Sequence, residues 1–580
     1  MKPAERAAVD PPCHGLLMKV GGAAMPASDR LALAARIVRE RLPGRWSLDL
    51  LGPGATVVEI RRAGSARRIR LSTAWNHCAR LRAAPEVAFA EPSLTTVGHD
   101  PDPRQVAHLF APFEHALAPE ARLTGDDPLP CAEHNRHWSL QLCRVPEAWA
   151  LEPAPGGRSR GAGIVVGHPD TGYTEHPEIW DTPHPRIRAA DGWDFADDDA
   201  EARDPLAGGF LRQPGHGTAT SSVIMSTVLA DEVTGVAPEA ELIPIRVTTS
   251  VVLFTFARLA RAIHHAVDRG AHVVSISLGG PVRSRALDEA TAWAASQGVI
   301  VLAAAGNIWP FVVFPARLPQ VIGVGACNCA DGVWKKSARG GGVDLSAPGE
   351  GVWRAGIEGS NAAPRFTTGM GYGTSFAVAT CAGAAALWLA HHGRARLLER
   401  FGPEGLVHAF RTLLLESCRV PDDWDSTRDG VGILDARALL EAPLPPAPAP
   451  RAESAPTGDP SAWSPQSTAG DRTASTPSDA AGYLPDEPEA EVAAAALEFV
   501  EGDWAELGDE LLFHLATHPA VRERLRARVA ARRRVVVEST AGREPTGPSS
   551  RSRLDTSAGS RLHRQASTRL RALIAQRNHP

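Results

Sequence analysis

The stretch GIVVGHPDTGYTEHPEI, residues 163–179, decides the fold. A short run of apolar residues with β-branched valines reads as a buried strand. It delivers Asp170 at its carboxyl end and leaves through Thr171-Gly172 in a sharp turn. Four more runs of the same kind follow: ELIPIRV (241–247), AHVVSISLG (271–279), VIVLAAAGN (299–307) and VIGVGAC (321–327). Between them stand the helical segments FARLARAIHHAVDRG (256–270) and SRALDEATAWAASQG (284–298). Continuous apolar strands alternating with helices predict an α/β domain, a three-layer αβα unit with a mainly parallel sheet covered on both faces. Its bounds are read as 138–442, and its chemistry belongs where strand ends meet loops.

Working outward, residues 14–97 read as a separate small unit. HGLLMKVGG is strand-like, SDRLALAARIVRERLPG is an amphipathic helix, and RWSLDLL and ATVVEIRRA are strands split by a Gly-Pro-Gly turn. A second helix, STAWNHCARLRAAPE, and a last strand, VAFAEPS, complete a β-α-β-β-α-β order, the ferredoxin-like arrangement. Residues 98–137 connect the two units. Residues 443–482 are rich in Pro, Ala and Ser and read as a linker, 483–535 as a helical module, and 536–580 as a disordered basic tail.

The chain has 580 residues and a formal net charge of −5, too mild to imply nucleic acid or an acidic substrate. Seven arginines between Arg522 and Arg534 crowd one helical stretch, which suits either an acidic or nucleic-acid partner or a solvated helix face packing on its neighbour. No aromatic residues interleave there, so no nucleic-acid partner is expected. Eight cysteines occur without a CxxC pair, so reduced, buried thiols are expected. No run approaches 18 apolar residues, so no membrane partner is expected. The first twenty residues lack a continuous apolar region, which puts the protein in the cytoplasm as written, and outside the cell if the N-terminus is incomplete.

Three further segments carry candidate chemistry. PGHGTATSSVIMSTV (214–228) places His216 between glycines at a helix head, AAAGN (303–307) ends a strand on Asn307, and GTSFA (373–377) sets Ser375 before an Ala-rich helix. Each, like Asp170, has a plain structural reading: a structural histidine, a loop asparagine, a helix-start serine and a turn-forming aspartate. Together they supply what acyl transfer needs. That reaction takes a hydroxyl, a base for its proton, a carboxylate to hold the base, and a donor where the oxyanion develops.

With DTG (170–172), GHGT (215–218), SLGG (277–280), AAAGN and GTSFA in the order Asp, His, Ser, the chain resembles the subtilisin-like (subtilase) serine peptidases. The resemblance implies a serine endopeptidase acting on proteins or peptides, with Ser375 as nucleophile, His216 as general base and Asp170 as its orienting carboxylate. Asn307 and the Ser375 N–H would be the oxyanion donors, and Ser277, Leu278, Gly279 and Gly280 the strand on which substrate pairs. It also implies that residues 14–97 are a propeptide, making the protein a zymogen with its own N-terminal domain as inhibitor, cleaved between about Thr95 and Asn135. No cofactor is required, but similar acidic loops in thermostable members bind structural calcium, and the match falls on Asp194, Asp197 and Asp199. Hard oxygen ligands suit that ion, although a solvated acidic loop fits as well. The chain departs from the family at Ala379, where a proline is usual, at Ser275, where an asparagine is usual, and in a longer loop, EARDPLAGGFLRQP, before His216. Two other readings remain: an inactive peptide-binding scaffold, and a partner-binding protein working through its C-terminal helices.

Overall fold

The computed structural model describes residues 13–447 except 64–68, 95–128, 181–185, 209–211, 228–232, 252–255, 308–310 and 361–362, together with residues 514, 567, 568, 570 and 571. The helical module and basic tail therefore lie almost wholly outside the described residues, as do most of the linker and the connection between the two units.

The N-terminal unit is β1 (Cys13–Val20), α1 (Ala27–Arg41), β2 (Trp46–Leu50), β3 (Val57–Arg62), α2 (Leu71–Arg82) and β4 (Val87–Leu94). Its sheet runs β2-β3-β1-β4 with every pair antiparallel, the ferredoxin-like topology expected from the sequence.

The larger unit is built on a seven-stranded sheet. Its strands are β5 (Val165–Asp170), β6 (Trp193–Asp194), β7 (Glu241–Arg246), β8 (Val273–Ile276), β9 (Ile300–Ala304), β10 (Val321–Cys327) and β11 (Leu345–Pro348). The order is β11-β10-β9-β8-β5-β7-β6, and all pairs are parallel. Because side chains alternate across a strand, successive residues feed two cores. Val165, Ile243, Ile245, Val274, Val301 and Val321 join one apolar cluster, while Val166, Leu242, Val273, Ile300, Leu302 and Ile322 join the other. A helix layer on each face is the physical consequence, since both faces are apolar.

On the second face lie α3 (His216–Met225) and, later in the chain, α6 (Thr374–His392) and α7 (Arg394–Glu416). On the first lie α4 (Ala257–Asp268) and α5 (Arg285–Ser296). Leu259, Ala260, Ile263 and Ala266 form the buried stripe of α4 at helical spacing. The Ser284 side chain caps α5 by accepting from the Leu287 N–H. Helix α6 is long and apolar enough by length and composition to cross a membrane, against the expectation from the sequence, but 94% of that window is buried inside the protein. It is the central core helix. A two-stranded ribbon, β12 (Glu350–Ser360) and β13 (Ala363–Tyr372), feeds directly into it.

The cysteines depart from expectation once. Cys131 and Cys329 form a disulfide across 198 residues, tying the segment ahead of the larger unit to the loop after β10. The other six are free, five of them buried.

Candidate active site

In the sheet order, β5 separates β7 and β6 from β8 through β11, so the direction of winding reverses there. Crevices outside the carboxyl ends of strands form at such points. Asp170 ends β5, residues 277–280 follow β8, and Asn307 follows β9, which brings three sequence-predicted segments to one edge. Helices α3 and α6 pack against each other behind them and present His216 and Ser375 at their first turns.

Asp170 is fully buried, and its Oδ1 lies 2.7 Å from His216 Nδ1 and accepts the Thr171 N–H at 2.7 Å. Burial opposes ionisation of this carboxyl, but the neighbouring His216, the hydrogen bond to it, His168 and the Thr171 N–H outweigh burial. Asp170 therefore titrates below the ordinary aspartate value. An ionised Asp170 accepting at Nδ1–H fixes the tautomer of His216 that leaves Nε2 able to take a proton.

Ser375 sits second in α6, and its N–H donates to no protein acceptor among the described residues. That is the usual state of a helix's first N–H groups. Its Oγ donates to the Ser277 carbonyl at 3.3 Å rather than to His216. Nucleophile–base hydrogen bonds are commonly loose before substrate arrives.

Asn307 is held by a residue that sequence reading passed over. Its Oδ1 accepts from the Thr374 N–H at 2.9 Å and from the Thr374 hydroxyl at 2.8 Å, while that hydroxyl accepts the Gly306 N–H at 3.1 Å. With the oxygen so engaged, the amide NH₂ faces Gly373, where a Cβ would stand 3.1 Å from Nδ2. Asn307 and Ser375 line the same cleft. The only signal in the sequence was a second hydroxyl next to the serine in GTSFA.

A second missed residue is Asp204, in the long loop before His216. Its Oδ2 accepts from the Thr171 hydroxyl at 2.6 Å and the Gly215 N–H at 2.8 Å, and its Oδ1 accepts the Leu206 N–H at 2.8 Å. The Thr171 hydroxyl in turn accepts the Gly217 N–H at 3.1 Å. This loop therefore ties the end of β5 to the start of α3. Burial pushes the Asp204 carboxyl up.

The segment predicted to pair with substrate, residues 277–280, is partly engaged within the protein. Gly280 pairs with Phe314 through two hydrogen bonds, and the Gly279 N–H donates to the Val251 carbonyl at 3.0 Å, so a peptide pairing at Gly279 must displace that bond. Ser277 and Leu278 line a cleft of about 370 Å³, open to solvent, together with Gly279, Asn307, Val313 and Ser375.

In the acidic loop the three aspartates proposed to bind calcium engage donors of the protein itself. Arg246 reaches Asp194 Oδ2 and lies 2.5 Å from Asp197 Oδ2, and Asp194 Oδ1 accepts from the N–H groups of Ala196 and Asp197. A guanidinium fills the space between these carboxylates, while Asp199 Oδ1 accepts the Glu201 N–H. Among the described residues no cluster of three or more His, Cys, Asp or Glu side chains could hold a metal ion.

Comparison with known proteins identifies the family. The sequence model of the subtilase family (peptidase S8) matches residues 161–430. Thermitase of Thermoactinomyces vulgaris is 31% identical over 263 residues, covering 45% of this chain and 84% of the relative. Subtilisin Savinase of Lederbergia lenta is 32% identical over 247 residues, 42% of this chain and 83% of the relative. The crystal structure of fervidolysin from Fervidobacterium pennivorans superposes with a TM-score of 0.50 at 22% identity, covering 75% of this chain and 61% of that one, a likeness of fold. The chain belongs to the subtilase family and is a serine endopeptidase acting on protein or peptide substrates.

Proposed function

We propose that the endopeptidase works through Ser375, His216 and Asp170, with Asn307 and the Ser375 N–H as the oxyanion hole. The observation that carries this is the locked Asn307 amide beside the helix-start serine. In the first step Ser375 Oγ attacks the scissile carbonyl and His216 Nε2 takes its proton. Asp170 Oδ1 holds the Nδ1–H and stabilises the imidazolium. The oxyanion forms between Asn307 Nδ2 and the Ser375 N–H, groups already oriented before reaction. His216 then gives its proton to the leaving amine, and water, activated by the same imidazole, releases the acyl group. The cleft beside Ser375 is lined by uncharged side chains, which suits an apolar residue before the cut bond. The methyls of Val313, 2.7–3.3 Å from where a Cβ on Gly279 or Gly306 would lie, narrow it toward smaller ones. We read the acidic loop as a structural ion-pair cluster and assign the enzyme no metal.

The N-terminal domain acts as an inhibitor in this reading, and the protein is made as a zymogen. Glu91 accepts from Ser284 Oγ at 2.6 Å and from the N–H groups of Arg285 and Ala286 at 3.0 and 3.2 Å, capping the start of α5 with a negative charge. Lys19 pairs with Glu289 at 2.6 Å, Glu59 pairs with Arg261 at 2.6 Å, and the domain's apolar residues share one core cluster with α4 and α5.

The test is labelling with a fluorophosphonate probe, comparing the full chain, Ser375→Ala, and a form starting at residue 129 that keeps Cys131. Strong labelling of the shortened form, weak labelling of the full chain and none of Ser375→Ala is expected. A folded shortened form that does not label would mean an inactive peptide-binding scaffold instead.

A further inference from the structure

Strand β5 carries a second ionisable side chain beside Asp170. His168 lies two residues earlier, so both project to the same side of the sheet, and both are buried. Asp170 spends both of its hydrogen bonds on Oδ1. Its Oδ2 is buried with no hydrogen-bond partner among the described residues, and His168 Nε2 stands 3.9 Å away. A buried carboxylate oxygen left without a donor is costly and uncommon. At 3.9 Å the contact is electrostatic, and a movement of about 1 Å by either side chain makes it a hydrogen bond.

The surroundings of His168 favour a donor at Nε2. This atom lies 3.1 Å from Thr220 Oγ, and Nδ1 lies 3.4 Å from Ser221 Oγ. The Thr220 hydroxyl reaches the His216 carbonyl at 3.0 Å, and the Ser221 hydroxyl donates to the Gly217 carbonyl at 2.7 Å. A hydroxyl has one hydrogen. Both hydroxyls thus turn a lone pair to the ring, and the one N–H of a neutral imidazole goes to Nε2, which has the shorter contact, 3.1 against 3.4 Å, and alone also faces Asp170 Oδ2.

We propose that His168 is a positioning residue for the triad carboxylate, its Nε2–H shared between Thr220 and Asp170 Oδ2 so that Oδ1 stays aimed at His216. This rests on the reading of Asp170 as the orienting carboxylate. The titratable groups facing His168 are Asp170 on its own strand and His216 on α3. Burial lowers the imidazole to about 4 against the opposing pull of Asp170, so at neutral pH it is an uncharged donor and not a second cation. An N–H at Oδ2 draws charge from the carboxylate. Without it Asp170 holds the His216 proton more tightly, and the acidic limb of kcat/KM moves to higher pH.

The experiment compares His168→Val, His168→Gln and Asp170→Asn in whichever form of the protein labels with the fluorophosphonate. Loss of the imidazole in His168→Val leaves the Thr220 and Ser221 hydroxyls their helix carbonyls. The expected result is a kcat lower by roughly threefold to tenfold with KM unchanged, and an acidic limb raised by about 0.5–1 pH unit. His168→Gln, whose amide NH₂ falls near the position of Nε2, is expected to restore both. An unmoved limb in a folded His168→Val, or one still raised in His168→Gln, overturns the proposal. If His168→Val does not fold, the histidine ring-proton titration of the unsubstituted protein decides. His168 silent from pH 5 to 9 supports the neutral donor, and titration of His168 in that range overturns it. Asp170→Asn separates the two readings: full activity there defeats the triad assignment itself, whereas an inactive Asp170→Asn beside an unchanged His168→Val defeats only the role of His168.

Discussion

Replacing Thr374 by valine tests the oxyanion hole without touching its donors. Valine keeps the branched shape at a residue that is 1% exposed, so packing is preserved and only the hydroxyl is lost. Two bonds go with it: the one donated to Asn307 Oδ1 at 2.8 Å and the one accepted from the Gly306 N–H at 3.1 Å. Asn307 keeps the Thr374 N–H at 2.9 Å, so its amide is held at one point rather than two. Losing one oxyanion donor outright costs about 10²–10³ in kcat, a size taken over from subtilisin. A donor loosened by one hydrogen bond, worth roughly 1 kcal/mol, should lose about fivefold to tenfold. KM should hold, because the Asn307 NH₂ acts on charge that develops only in the transition state. The unpaired Gly306 N–H should also cost about 1–3 kcal/mol of stability. The assay is steady-state hydrolysis of a peptide ester and amide by Thr374→Val, Asn307→Ala and the double variant, with thermal unfolding of each. Since the hydroxyl acts only through Asn307, Thr374→Val should add almost nothing to Asn307→Ala. Full additivity in the double variant, or an unchanged kcat in the single one, refutes the reasoning.

Three other outcomes are expected. Glu59 is buried against Arg261 and Arg61, and although burial raises its pKa, the two guanidiniums outweigh burial and hold it below its ordinary value of 4.5. A depressed carboxyl stabilises the docked state above that ordinary value and ceases to as pH falls through the depressed one. The protection factors of β3 amides, measured against intrinsic exchange at each pH, should therefore fall on acidification in the full chain, and a Glu59→Gln variant with the same pH response would exclude this origin. Chelators should leave the melting temperature unchanged, whereas Arg246→Ala, which strands the buried Asp194, should cost about 3–5 kcal/mol; a melting temperature that falls with chelator and recovers with calcium would reverse that reading. Finally, reduction of Cys131–Cys329 or the change Cys329→Ser should remove roughly 2–5 kcal/mol, because the bridge closes a loop of 198 residues in the unfolded chain. Unfolding curves that coincide with and without reductant would show that the bond is not formed.

Elements with local signals were legible. The five buried strands from 163 to 327 announce themselves by continuous apolar residues between glycine turns, and α4 and α5 by their spacing. Asp170, His216, Asn307 and Ser375 stand beside glycines at strand or helix ends, where short motifs betray them. The ribbon β12–β13 was not read, because its Gly-rich strands lack alternation and are defined only by pairing with each other. The two-residue β6 is defined by its register with β7 and has almost no sequence of its own.

Sequence by itself determined the architecture and the four chemical groups, because hydrophobic period and residue type are properties of short stretches. Which groups meet was decided only by tertiary structure. Thr374 belongs to Asn307 and Asp204 to Thr171 and Gly215, pairs 67, 33 and 11 residues apart. The same acidic loop that invites a cation on composition folds onto Arg246, about fifty residues later in the chain and brought to it by the parallel register of β6 on β7. The coupling of Cys131 to Cys329, and the meeting of His168 with the second oxygen of Asp170, depend likewise on the positions of distant backbones. Local sequence sets what each segment can be, and burying both faces of the sheet sets which side chains must answer one another.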